Sequence, residues 1–189
     1  MNNKLYEFLN KKATGKMVLI FLLLTALMEG LMLVVEHQFS VRAQGQIPLD
    51  SIPFYSAETA RQFFAVALGG AAKYYLHVHL PLDLFYPALY SFSYALIVAW
   101  SLMKLRERGH IYPQWLMLYP FASALFDYLE NTGMFLLFQQ DVLQSEMLLF
   151  ATAWCSSLKW FGAFSGLSIM LYLIFKLVIT RFVRVGLPS

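Results

Sequence analysis

Four apolar stretches constrain this chain more than any other feature: roughly Met17–Glu36, Leu82–Met103, Trp115–Phe138 and Met147–Ile179. Each is long enough to cross about 30 Å of hydrocarbon, which takes about 20 helical residues. Backbone in hydrocarbon must satisfy its own hydrogen bonds, so segments of this kind fold as helices. The expectation is an all-α protein, a polytopic membrane four-helix bundle forming a single domain over residues 1–189. Charge density agrees, since only 13% of residues are charged and 59% are hydrophobic. A soluble domain carries about 25% charge, so this chain is too poor in polar groups to cover its apolar surface in water. The fourth stretch is long for one span and should tilt or project beyond the bilayer.

The basic residues set an orientation. Lys4, Lys11, Lys12 and Lys16 precede the first stretch, Lys104, Arg106 and Arg108 follow the second, and Lys176, Arg181 and Arg184 close the fourth. Only Arg42, Arg61 and Lys73 fall on the opposite side, and residues 139–146 contain no lysine or arginine. Such alternation places both termini in the cytoplasm. The basic start and apolar run imitate a signal peptide, but Met17 to Val35 exceeds the usual apolar core of about 7–15 residues, so an uncleaved helix is expected. The net charge of +3 is explained by this topology and gives no support to nucleic acid binding.

The first external segment, His37–Pro81, is too long for a simple connection. Pro48 and Pro53 mark an irregular beginning, and Ser56 followed by Ala57-Glu58-Thr59 is a helix start with an acid in its first turn. Phe63, Phe64, Val66, Ala67 and Leu68 then predict an amphipathic helix on the outer membrane surface, broken near Gly69-Gly70. A helix that merely caps the bundle is the plainer alternative.

Ionisable groups inside spans are costly and normally face the bundle interior or a cavity. Glu29, Asp127 and Lys159 each lie about 18 Å from the start of their stretch at 1.5 Å per residue, and Glu130 lies close to Asp127. Tyr119, Ser123, Asp127 and Asn131 recur every fourth residue and share a helix face. Cys155, Lys159, Gly162 and Gly166 form a second stripe, with a GxxxG spacing suited to close helix packing. Asp83, Pro87, Tyr90 and Tyr94 form a third, and Thr25, Glu29, Met32 and Glu36 a fourth. A polar column of Glu29, Asp127, Glu130, Asn131 and Lys159 is expected, extended outward by Asp83, Tyr90 and Tyr94. It reads either as a functional pocket or as an ion-pair network that fixes helix association. Three carboxylates against one ammonium cannot all stay charged in low dielectric, so a proton, water or a cation must enter.

His77 and His79, with His37 and Glu36, are the candidates for an external metal site, but residues two apart share a face only in extended chain. Interfacial histidines without metal are the expectation, and no cofactor is implied. No histidine sits deep in a stretch to ligate haem. Cys155 is the only cysteine, which excludes an internal disulfide and dithiol redox chemistry. The sequence contains no nucleotide-binding loop and no nucleophile elbow.

The segments Leu80-Pro-Leu-Asp-Leu-Phe-Tyr-Pro87, Leu125-Phe-Asp-Tyr-Leu-Glu-Asn131 and Leu158-Lys-Trp160 resemble a pattern in uncharacterised bacterial four-helix membrane proteins. The resemblance implies location in a bacterial inner membrane and brings no activity with it. The layout is also similar to the sterol-isomerase and sigma-2-type membrane fold in architecture, with acids facing an intramembrane cavity; fold alone does not give function. Three functions stay open: binding or processing of a lipid-like molecule, an accessory or assembly subunit with a membrane protein partner, and ion or proton-coupled transport by a homo-oligomer. Whether the chain is an enzyme is left undecided.

Overall fold

Thr14 and Gly15 divide the basic amino-terminal segment from the first apolar run, and the structure places a helix boundary there. In the computed structural model, which describes residues 3–139 and 145–185, the helices are α1 (Asn3–Lys12), α2 (Gly15–Arg42), α3 (Ala57–Gly70), α4 (Ala72–Tyr74), α5 (Leu80–Arg106), α6 (Tyr119–Leu137) and α7 (Glu146–Val185). The chain is all-helical, with no strand among the described residues. The expected connection between the third and fourth stretches (140–144) and the last residues, 186–189, lie outside the described residues.

Three segments are long and apolar enough to cross a membrane: α2, the run from Ala72 through α5, and α7 as far as Arg181. The 19-residue α6 carries Asp127, Glu130 and Asn131 and is not among them. It packs along both α5 and α7, while α2 lies on α5. At 40 residues α7 is about 60 Å long, twice a bilayer core. The first apolar helix also runs farther than its stretch, to Arg42, because nothing from Glu36 to Arg42 breaks a helix.

Two buried clusters sit at opposite ends. One joins Tyr6, Leu9 and Ala13 to Leu102, Leu105, Met117, Leu173 and Leu177. It brings the amino terminus, the α5–α6 connection and the far part of α7 together. Arg108 reinforces this end by donating to the Leu177 carbonyl and to Thr180 Oγ1. Gly109, at φ 86°, ends α5 in the left-handed conformation that glycine adopts freely. The helix α1 is a feature that the sequence marks only as a basic flank.

The other cluster is aromatic. Phe39 from α2, Phe63 and Phe64 from α3, Tyr75 and Phe138 pack with Leu149 of α7. Ser56 caps α3 by accepting from Thr59 N, as its sequence predicts. The apolar face of α3 is buried on the bundle, while Arg61 points out and pairs with Glu146. Small residues then let helices approach closely. A Cβ on Gly162 would lie 3.1 Å from the Ser123 Cβ, and one on Gly166 would lie 3.6 Å from the Tyr119 ring. Gly133 lies against Thr152 with no room for a Cβ at all.

Candidate functional site

Pro87 lies inside α5 and has no N–H to give to the carbonyl one turn earlier, at Asp83. Asn131 Nδ2 of α6 donates to that freed carbonyl at 3.3 Å. Tyr128 OH donates to the neighbouring Leu84 carbonyl at 3.0 Å. A proline that would break an isolated helix thereby fixes α6 beside α5 in one register.

Just before α5, Tyr75–His79 forms a π-helical turn, closed by Leu80 N–H on the Tyr75 carbonyl. Such single wide turns often occur at functional sites. Here the turn stacks Tyr75 on His79, ring centres 4.6 Å apart and 16° from parallel. Both point at one carboxylate: Tyr75 OH lies 3.0 Å and His79 Nε2 2.8 Å from Asp50 Oδ2. Asp50 sits in a short 3₁₀ turn, Leu49–Ser51, folded inward from the loop between α2 and α3. Burial works to raise the pKa of its carboxyl, but the charge and hydrogen bond of His79, the charge of Lys159 and the hydrogen bond of Tyr75 outweigh it and hold it at about 2.

The backbone of Asp50 is engaged as well. Lys159 Nζ donates to its carbonyl at 2.9 Å and Trp160 Nε1 at 3.3 Å. The same ammonium pairs with Glu130 Oε2 at 2.5 Å and Asp127 Oδ1 at 3.5 Å. Asp127 Oδ2 accepts from Tyr90 OH at 3.0 Å, and Ser123 Oγ donates to the Lys159 carbonyl at 2.9 Å.

Asp50, His79, Tyr90, Ser123, Asp127, Lys159 and Trp160 border a cavity of about 400 Å³. Asp50, His79 and Asp83 lie together in its lining, which also includes Ser51, Ser123, Asp127, Lys159, Tyr86, Tyr90 and Tyr94. Glu29 and Leu33 of α2 are its exposed lining and Glu36, Trp160 and Ala163 are half-buried, so the mouth lies between α2 and α7, two helices that scarcely pack on each other. Comparison with protein-family models, curated proteins and solved structures finds no match.

Of the residues singled out in the sequence, Glu29, Asp83, Tyr90, Tyr94, Asp127 and Lys159 share this cavity. Glu130 and Asn131 are buried but are not part of its lining. Glu29 is not central: it stands exposed at the mouth and accepts from Tyr86 OH. The histidine grouping does not form either. His77 is exposed with Nδ1 2.9 Å from the Lys73 carbonyl, whereas His79 is buried on Asp50, because on a helical turn residues two apart diverge. Asp50 and Tyr75 have no counterpart among the residues expected from the sequence. An aspartate in a proline-bounded loop carries no periodic signal that places it inside a bundle.

Proposed function

We propose that this chain is an integral membrane protein in which α2, α5, α6 and α7 form a four-span bundle, α3 covers its outer end and the cavity binds a lipid-like molecule. The observation that carries the reading is the cavity's mixed lining. Met32, Leu33, Trp160 and Ala163 supply apolar surface, and tyrosine hydroxyls, carboxylates and Lys159 supply polar groups beside it. An amphiphile entering between α2 and α7 would keep its tail against these apolar side chains. Its polar head would meet Tyr90, Asp127 and Lys159. Pockets of about 300–1,000 Å³ with a few placed polar groups are the usual form of small-molecule sites.

The outer surface supports a bilayer as the solvent. Leu19, Leu23, Leu27, Leu31 and Leu33 of α2 are exposed, as are Phe161, Phe164, Leu171 and Phe175 of α7. A surface of that extent demands lipid or another protein. For α6, the polar residues that lower its hydropathy are turned inward and partnered by α5 and α7, so they do not bar it from spanning.

Native mass spectrometry of protein extracted gently from its own membranes tests the reading. A lipid-like adduct should be present and should fall at least about tenfold when Ala163→Trp fills the mouth, a loss of about 1.4 kcal/mol in binding. Absence of any adduct on folded wild-type protein, or an adduct indifferent to the filled cavity, would sink the proposal.

A further inference from the structure

The outer end of the cavity has an imbalance of charge. Lys159 serves Glu130 and Asp127, and His79 serves Asp50. Asp83 is left over. It is 6% exposed, its Oδ2 has no hydrogen-bond partner, and no basic group lies within ion-pairing distance of it among the described residues. Asp50 Oδ1 is likewise buried without a partner. Both residues line the cavity, so the unsatisfied oxygens are not explained by packing against apolar neighbours alone. Leaving a buried carboxylate unmatched is expensive, and buried charges are normally paired or bound to metal.

We propose that Asp50, His79 and Asp83 form a binding site for a divalent first-row metal ion. One ligand atom from each lies within 4.8 Å of the other two, and all three residues are buried. His79 and Asp83 are four apart, where the π-turn passes into α5, which puts both on one helix face. The Asp50 turn supplies the third group from across the cavity. Ligand atoms about 2.1 Å from one tetrahedral ion stand about 3.4 Å apart, so Asp83 has to move inward, and its free oxygen breaks no hydrogen bond in doing so. Two carboxylates and a neutral imidazole around a divalent ion sum to zero charge, and the proton shared by His79 and Asp50 is released on binding. One imidazole with two carboxylates suits zinc or manganese better than calcium or magnesium, which prefer oxygen alone. Three protein ligands leave further coordination positions facing the cavity, the arrangement of metal sites that bind water or a substrate oxygen. The site does not rest on the lipid reading.

The experiment uses full-length protein in detergent, stripped with chelator and titrated with Mn²⁺ while the free-ion electron paramagnetic resonance signal is followed. One Mn²⁺ per chain should be taken up and released by Zn²⁺, and Zn²⁺ should raise the unfolding temperature. Asp83→Asn replaces an unpartnered carboxylate with a neutral group of the same shape, so the variant should fold. Loss even of a residue that only supports a ligand weakens metal binding about 10–100-fold, so loss of the ligand itself should cost at least about 100-fold. His77→Ala should bind as wild type does. Folded wild-type protein that takes up no stoichiometric ion at millimolar concentration overturns the site, and so does undiminished binding by Asp83→Asn. Lipid adducts measured on the same samples separate the two proposals, because either can fail without the other.

Discussion

Lys159 of α7 holds Glu130 of α6 at 2.5 Å, in a place where the Glu130 side chain has no exposure at all. The ammonium also reaches Asp127 and the Asp50 carbonyl, so one side chain joins α7 to α6 and to the loop after α2. The pair is costly to bury and more costly to break.

Replacing one partner should therefore do more harm than replacing both. Glu130→Gln or Lys159→Met alone should each destabilise the protein, the glutamine variant by about 3–5 kcal/mol because the charged lysine keeps only the longer of its two carboxylate contacts, to Asp127. Lys159→Met should be the milder single change, since Glu130 can take a proton. The double variant should lie closer to wild type than the sum of the singles predicts. Thermal unfolding in detergent of all four proteins gives the coupling, and strict additivity would contradict the pairing.

Helix contacts at glycine predict a graded series. Gly133→Ala forces a methyl into Thr152 and should cost about 1–3 kcal/mol, Gly162→Ala less, and Gly166→Ala little. Unfolding temperatures that fail to follow this order would mean that α6 and α7 pack in another register.

Pro87 and Asn131 should show compensation. With Pro87 present, Asn131→Ala strands the Asp83 carbonyl, at a cost of about 1–3 kcal/mol. In a Pro87→Ala background the helix supplies its own N–H, and the same asparagine change should cost distinctly less. Equal costs in the two backgrounds would mean that Asn131 does not serve the carbonyl freed by Pro87.

Orientation can be read by labelling. In a Cys155→Ser background, a cysteine at Gln44 should react with a membrane-impermeant thiol reagent on intact cells, and one at Lys11 should react only after lysis. The reverse pattern would invert the topology.

The all-helical fold was legible because apolar runs of membrane length leave the backbone no other solution. The inward stripes of α6 and α7 were legible for a related reason: Asp127, Asn131, Lys159 and Gly162 repeat at helical spacing, and charge and small size are both signals of a protein-facing side. Glu29 lines the cavity with Met32 and Glu36 of its stripe but stays exposed, because depth along a helix fixes height and not how far a side chain is covered. Asp50 was invisible for a different reason. Its position depends on a chain reversal between α2 and α3 and on Tyr75 and His79 of the π-turn, which meet its side chain. None of those features leaves a periodic trace.

The bonds of Asp50 also differ in when they become available. Its side chain is met by Tyr75 and His79, 25 and 29 residues later in the chain, but its carbonyl waits for Lys159 and Trp160, 109 and 110 residues on. At a synthesis rate of about 5–20 residues per second the second pair emerges roughly 4 s or more after the first. The early bonds can seat the turn on the growing amino-terminal half, with the carbonyl still facing an empty place. Arrival of the last helix then completes a joint whose other half is already built, so a ribosome stalled before Lys159 would leave a chain with the Asp50 turn docked on one side only.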